Sequence, residues 1–184
     1  MNRIVQSLYF TAALLVFWIT PVAAATCPAE NFIQSAGEAF MGASREGSPA
    51  AFMNASSRYA DLHGIALFAL GQYRKNLSSD MEGEYFSRAR TFMGRFMAQY
   101  ASHFSGTGVT ITSCADSGSG LTVGAKLTGG QTITFRLRKS GSTYRVQDVS
   151  VSSIWLAQTM RTKFTGVISS HGGDVGALIS YLGG

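Results

Sequence analysis

Residues equipped for catalysis are scarce in this chain. Its three histidines, His63, His103 and His171, stand on separate segments with no cysteine or carboxylate at metal-ligand spacing, which argues against a zinc or copper site. No G-x-S-x-G elbow is present. His171-Gly172-Gly173 has the look of an esterase oxyanion segment but serves no nucleophile, and reads as a helix stop and restart. Gly118-Ser119-Gly120 lacks a phosphate-loop lysine and opens onto a strand, so it reads as a hairpin turn. Glu82 and Glu84 pair only in the first turns of a predicted helix, where negative charge is stabilising in any case. Asp148 is the one acid with a candidate role, and structural hydrogen bonding is the favoured one. Nothing calls for a cofactor, and the reading is not an enzyme.

Charge is equally thin. Charged residues make up 14% of the 184, the net charge is +5, and no run of five or six basic residues occurs. That balance favours anionic membrane surfaces or acidic partners and gives no footprint for nucleic acid. One long apolar run exists, Leu8 to Ile19, preceded by Arg3 and followed by Pro21 and the small residues Ala23-Ala24-Ala25. The run is short for a membrane span of about 20 residues and matches a secretory signal peptide. Residues 1–25 are therefore expected to be cleaved, leaving 26–184 as a single domain in the periplasm. The alternative is a lipoprotein with Cys27 acylated. There are two cysteines, Cys27 and Cys114. In an oxidising compartment such a pair most simply forms a disulfide, worth about 4 kcal/mol from loop-closure entropy. The alternative is two independent buried thiols.

What the chain has in excess is apolar bulk: 12 Phe, 7 Tyr and 7 Met. Phe32, Ile33, Ala36, Ala39 and Phe40 recur at helical spacing between Ala29 and about Arg45. Ser48 and Pro49 start a second helix. Ile65, Leu67, Phe68, Leu70 and Tyr73 follow over a broad apolar arc, expected to be buried or to line a cavity. Ser79 as N-cap with Glu82 predicts a capping box, opening a helix of about 25 residues that carries Tyr85, Phe92, Met93, Phe96, Met97, Tyr100 and Phe104. After Gly106 the period becomes 2. Four alternating runs, around Val109, Leu121–Leu127, Ile133–Leu137 and Tyr144–Asp148, are joined by Gly-rich turns and predict an antiparallel meander. A helix from about Ser152 to Ser170 follows, then Asp174 capping a short terminal helix. Helices on one face of a four-stranded antiparallel sheet make an α+β domain.

Several segments together resemble the MlaC family, also called the toluene-tolerance family of periplasmic phospholipid-binding proteins. They are Gly71-Gln72-Tyr73 with Ser79, Tyr85-Phe86 and Arg90; Phe135-Arg136-Leu137-Arg138-Lys139 with Tyr144 to Asp148-Val149; and Arg161-Thr162-Lys163-Phe164 with Gly172 and Leu178 to Leu182. The order and spacing carry the likeness over about two thirds of the chain, from Tyr59 to Leu182. It implies an apolar cavity between sheet and helices, and a shuttle carrying phospholipid between an outer-membrane lipoprotein complex and an inner-membrane ABC transporter. A branch associated with hopanoid lipids makes a rigid polycycle the alternative cargo. The chain departs at Ser152-Ser153-Ile154-Trp155, where many members carry a Glu-Gly pair and a Ser, and a bulky Trp155 would narrow or reshape the cavity.

The expected lining is Phe68, Tyr73, Phe92, Phe96 and Tyr100 from the helices. Phe135, Leu137, Val146, Val149, Val151, Ile154 and Trp155 complete it from the sheet and its exit. Arg136, Arg138, Lys139 and Arg145 are candidates for an anionic headgroup or a partner, or are solvated sheet residues. Two rival functions remain. One is an isomerase-like enzyme using Asp148 or Tyr144, and the other an interaction module whose aromatics form a plain core.

Overall fold

The structure, a computed structural model, describes residues 27–184, so the expected signal peptide lies outside the described residues. The first apolar stripe forms helix α1 (Glu30–Glu46), which buries Ile33, Ala36, Phe40 and Met41 and ends on Gly47 at φ 71°. Helix α2 (Pro49–Tyr59) starts as its sequence signal requires: the Ser48 hydroxyl accepts from the Ala51 N–H at 3.1 Å, with Pro49 at the first position. Asp61 caps α3 (Leu62–Ala69) in the same manner. The broad apolar arc does not run on as one helix. Gly71, at φ 56°, breaks it into α3 and a 3₁₀ segment, Gly71–Asn76.

Helix α4 (Ser79–Ala98) is the central helix. The predicted capping box is not formed: Ser78, not Ser79, is the N-cap, and its side chain makes no cap bond. The helix is also 20 residues long rather than about 25. Beyond Ala98 the backbone tightens to i→i+3 bonds, Tyr100 N–H to the Met97 carbonyl among them, and runs into a 3₁₀ turn, Ala101–Phe104. Packing decides this, because the tighter turn lays Phe104 against Phe40 and Phe52, ring centroids 5.7 and 6.1 Å away. Gly94 lets α4 approach the start of α2: a Cβ there would lie 2.7 Å from the Pro49 carbonyl.

The meander is antiparallel throughout, in the order β1 (Val109–Asp116), β2 (Gly120–Leu127), β3 (Thr132–Ser140), β4 (Thr143–Val151) and β5 (Ile154–Trp155). The α+β architecture is as expected, with five strands instead of four. The extra strand arises where a helix is predicted to begin. Ser152 and Ser153 both take positive φ, 49° and 67°, and turn the chain so that Val151 pairs with Ile154 and Ser150 with Trp155. Helix α5 (Leu156–Ser170) therefore starts four residues late, and α6 (Val175–Gly183) follows, capped by Asp174.

The period-2 pattern puts Val123, Ala125, Ile133, Phe135, Leu137, Val146 and Val151 into the core with the helices. A bulge between Arg136 and Leu137 leaves Gln147 unpaired in β4. Beside it the α2–α3 connection covers the strand, with the Asp61 N–H donating to the Val146 carbonyl at 2.9 Å. Cys27 and Cys114 form a disulfide that ties the start of α1 to β1.

Candidate functional site

The helices do not close completely on the sheet. Between them lies an apolar cavity of about 60 Å³. That is room for about four waters, so the space is a slot. Its walls come from the helices and the sheet together. Phe40 (α1), Leu62 and Ile65 (α3) and Met93, Phe96 and Met97 (α4) form one side, with Phe104 below. Phe135, Val146 and Val149 form the sheet side, and Leu156, Ala157 and Met160 (α5) close it. Ser56 and Asp148 are the polar residues in this lining. Three methionines lend it compliance, since an unbranched thioether repacks around occupants of varying shape.

Asp148 is buried, and the structure shows what it does. Its Oδ1 accepts from the Val149 N–H and from the Ala157 N–H, each at 2.8 Å. Ala157 lies in the first turn of α5, whose N-cap, Trp155, makes no side-chain cap bond. Asp148 thus caps α5 from a neighbouring strand, serving N–H groups that would otherwise be orphaned. Burial pushes its carboxyl above the usual range; the Ala157 and Val149 N–H groups and the Arg136 guanidinium pull it back. Arg136 Nη1 stands 3.9 Å from Oδ2. Tyr144, the other acid–base candidate, packs on the Phe32 ring and lies outside the cavity lining.

The cavity has a mouth. Ile65, Asp148 and Ala157 continue into a more polar recess completed by Gly64, Phe68, Arg136 and Gln147. The unpaired Gln147 of the bulge lines it. Here the Arg136 guanidinium carbon stands over the Trp155 ring, 3.7 Å from its centroid. Arg161, one turn beyond Ala157 on the same side of α5, stands 4.9 Å from the centre of the Phe68 ring.

Of the residues expected in the lining, Phe96, Phe135, Val146 and Val149 line the slot and Phe68, 41% exposed, lines its mouth. Leu137 and Val151 are buried in the sheet core next to it. Trp155 sits under Arg136 outside the mouth, and Ile154 is 46% exposed. Tyr100 meets Phe96 edge-on from the far side. Phe92 stacks on Phe96 and packs with Phe164 and Tyr181, so it faces an outer groove. Tyr73 is half-buried beside Gly173, in the 3₁₀ segment. Sequence reasoning missed Phe40, Met93, Met97, Leu156, Ala157 and Met160 as lining residues. Their signal was present: Met93, Phe96 and Met97 share one face of α4, and Leu156, Ala157 and Met160 keep an i, i+1, i+4 stripe on α5.

Among the other candidate cations, Arg138 bonds Asp61 at 2.9 Å and Arg145 reaches the Ser57 carbonyl, so both clamp sheet to helices. Among the described residues no three His, Cys, Asp or Glu side chains converge as a metal site would require.

The sequence matches the family described as MlaC protein over residues 37–183. No curated protein matches it. Among solved structures, it resembles a phospholipid-binding protein from Ralstonia solanacearum, in complex with a phospholipid, with a TM-score of 0.68 at 19% identity. The likeness covers 87% of this chain and 95% of that one.

Proposed function

This chain belongs to the MlaC protein family, and from that premise we propose that it is a non-enzymatic carrier of phospholipid in the periplasm. The acyl chains enter the slot as its methionine-rich walls part to admit them, the headgroup stays at the wet mouth, and the loaded protein passes between an outer-membrane lipoprotein complex and an inner-membrane ABC transporter. The observation that carries this reading is the lining. Its walls are apolar, Ser56 and Asp148 apart, and one oxygen of Asp148 already holds two backbone N–H groups. Such a wall offers a hydrocarbon chain about 0.8 kcal/mol per methylene removed from water and offers a reacting group nothing to work with. The phospholipid bound by the Ralstonia solanacearum protein of like fold supports the same cargo. A slot this narrow also suits a flexible chain better than a rigid polycycle.

The test is native mass spectrometry of protein isolated from its own periplasm, with solvent extraction to identify the cargo. The expected result is stoichiometric phospholipid, lost on Val149→Gln, a change in a half-buried wall residue. A clean unliganded mass, with no uptake from phospholipid vesicles, would overturn the carrier and leave the interaction module in its place.

A further inference from the structure

We infer that the mouth selects anionic glycerophospholipids through Arg136 and Arg161, two guanidiniums held ready on aromatic faces. The inference rests on the carrier reading and goes further, from lipid to headgroup class.

Several arginines of this protein spend their donors holding elements together. Arg88 and Arg95 on α4 bond carbonyls of α6, at Ile179 and at Leu182 and Gly184. Arg138 pairs with Asp61 and Arg145 with α2 carbonyls. At the mouth the pattern changes. Among the described residues neither the Arg136 nor the Arg161 guanidinium donates a hydrogen bond, and Arg136 has only the long 3.9 Å approach to Asp148. Both stand instead over aromatic rings, Arg136 over Trp155 and Arg161 over Phe68, 3.7 and 4.9 Å from the centroids. A cation held over a ring face is localised by the ring quadrupole and keeps its N–H donors unspent. The Arg136 side chain keeps 54% of its surface in water, so its desolvation cost is small.

Position supplies the rest of the argument. Arg136 and Phe68 line the recess that continues from the slot through Ile65, Asp148 and Ala157. A lipid whose tails fill the slot presents its phosphodiester at that recess. The phosphate oxygens then meet planar donors suited to them. Asp148 cannot invite a cation there, because Oδ1 is committed to backbone and Oδ2 faces Arg136. A headgroup ammonium gains nothing and is repelled by two guanidiniums, whereas a headgroup of net negative charge keeps the full attraction.

The experiment incubates the protein with vesicles of equimolar phosphatidylglycerol and phosphatidylethanolamine of identical acyl chains, then extracts and quantifies the lipid it has taken up. The expected preference for phosphatidylglycerol is about tenfold, equivalent to about 1.4 kcal/mol. It should fall to near unity in Arg136→Gln/Arg161→Gln. It should persist in Lys75→Gln/Lys163→Gln, which removes the same net charge from exposed helix positions elsewhere. Uptake at unit ratio by the unmodified protein refutes the headgroup inference and leaves the carrier standing; no uptake of either lipid refutes both. Equal loss in the two double variants would reduce the effect to net charge and overturn the assignment to the mouth. A preference abolished by excess inorganic phosphate would assign the guanidiniums to free phosphate and overturn it as well.

Discussion

Replacing Asp148 separates the carrier from an enzyme and measures how a strand holds a helix. Its Oδ1 accepts two backbone N–H groups, a partly buried one at Val149 and a buried one in the first turn of α5. Alanine leaves both without a partner. Each orphaned donor costs about 1–3 kcal/mol, and local relaxation that admits water brings the expected loss for Asp148→Ala to about 2–4 kcal/mol. In a domain of this size that lowers the melting temperature by about 6–12 °C. Asparagine keeps an oxygen at the same place and removes only the charge. Burial has already raised this carboxyl, so the charged form is the disfavoured one in the folded state. Asp148→Asn should therefore be neutral or slightly stabilising near neutral pH. The sign on pH follows. A carboxyl with a raised folded value contributes stability that is complete below its unfolded value and is lost as pH rises through the folded one. The wild type should gain on Asp148→Asn as pH falls toward the carboxylate range. Chemical denaturation of the three proteins across that range is the assay, with vesicle uptake measured alongside. Should Asp148→Asn melt as early as Asp148→Ala, the charge and not the acceptor geometry holds α5, and the capping argument fails. Loss of a turnover with Asp148→Asn in a well-folded protein would restore the enzyme reading.

Other perturbations bear on the frame around the slot. Ser153→Gly should stabilise the protein by about 0.5–1 kcal/mol, because glycine accepts the positive φ of 67° that serine takes at a cost; an unchanged or lower melting temperature would show that the serine turn is unstrained. Reducing the Cys27–Cys114 bond opens a loop with a sequence separation of 87, which loop-closure entropy values at about 4–5 kcal/mol; calorimetry with and without reductant should show a drop of about 10 °C or more, and a shift of a degree or two would contradict that account. Arg95→Ala frees the carbonyls of Leu182 and Gly184 and should raise amide exchange in α6 about fivefold, as about 1 kcal/mol from two solvent-accessible hydrogen bonds together implies; exchange that stays at the wild-type rate would mean α6 is held by its apolar face alone.

The sequence by itself determined the elements whose signals are local. Ser48-Pro49, Asp174 and the change of period after Gly106 act within a few residues, through a cap bond, a missing N–H or the alternation of a pleated strand, and each works in the fold as it reads in the chain. The pairing of Cys27 with Cys114 is equally readable, because two cysteines permit one intramolecular bridge. Tertiary structure decided what depends on neighbours far along the chain. Phe104 pulls the end of α4 into a 3₁₀ turn because Phe40 and Phe52 wait there. The Ser152-Ser153 turn makes a strand where a helix is predicted, since β4 offers a partner and Asp148 supplies the cap that delays α5. The same division runs through the site. Periodicity shows that Phe92 and Phe96 are both apolar and near one face, yet Phe96 reaches the slot as well as the outer groove, and Phe92 the groove without the slot. Four residues along a helix turn through about 400°, leaving neighbours about 40° apart; which side of the cavity wall each falls on is settled by where α5 and α6 pack, and no local pattern encodes that.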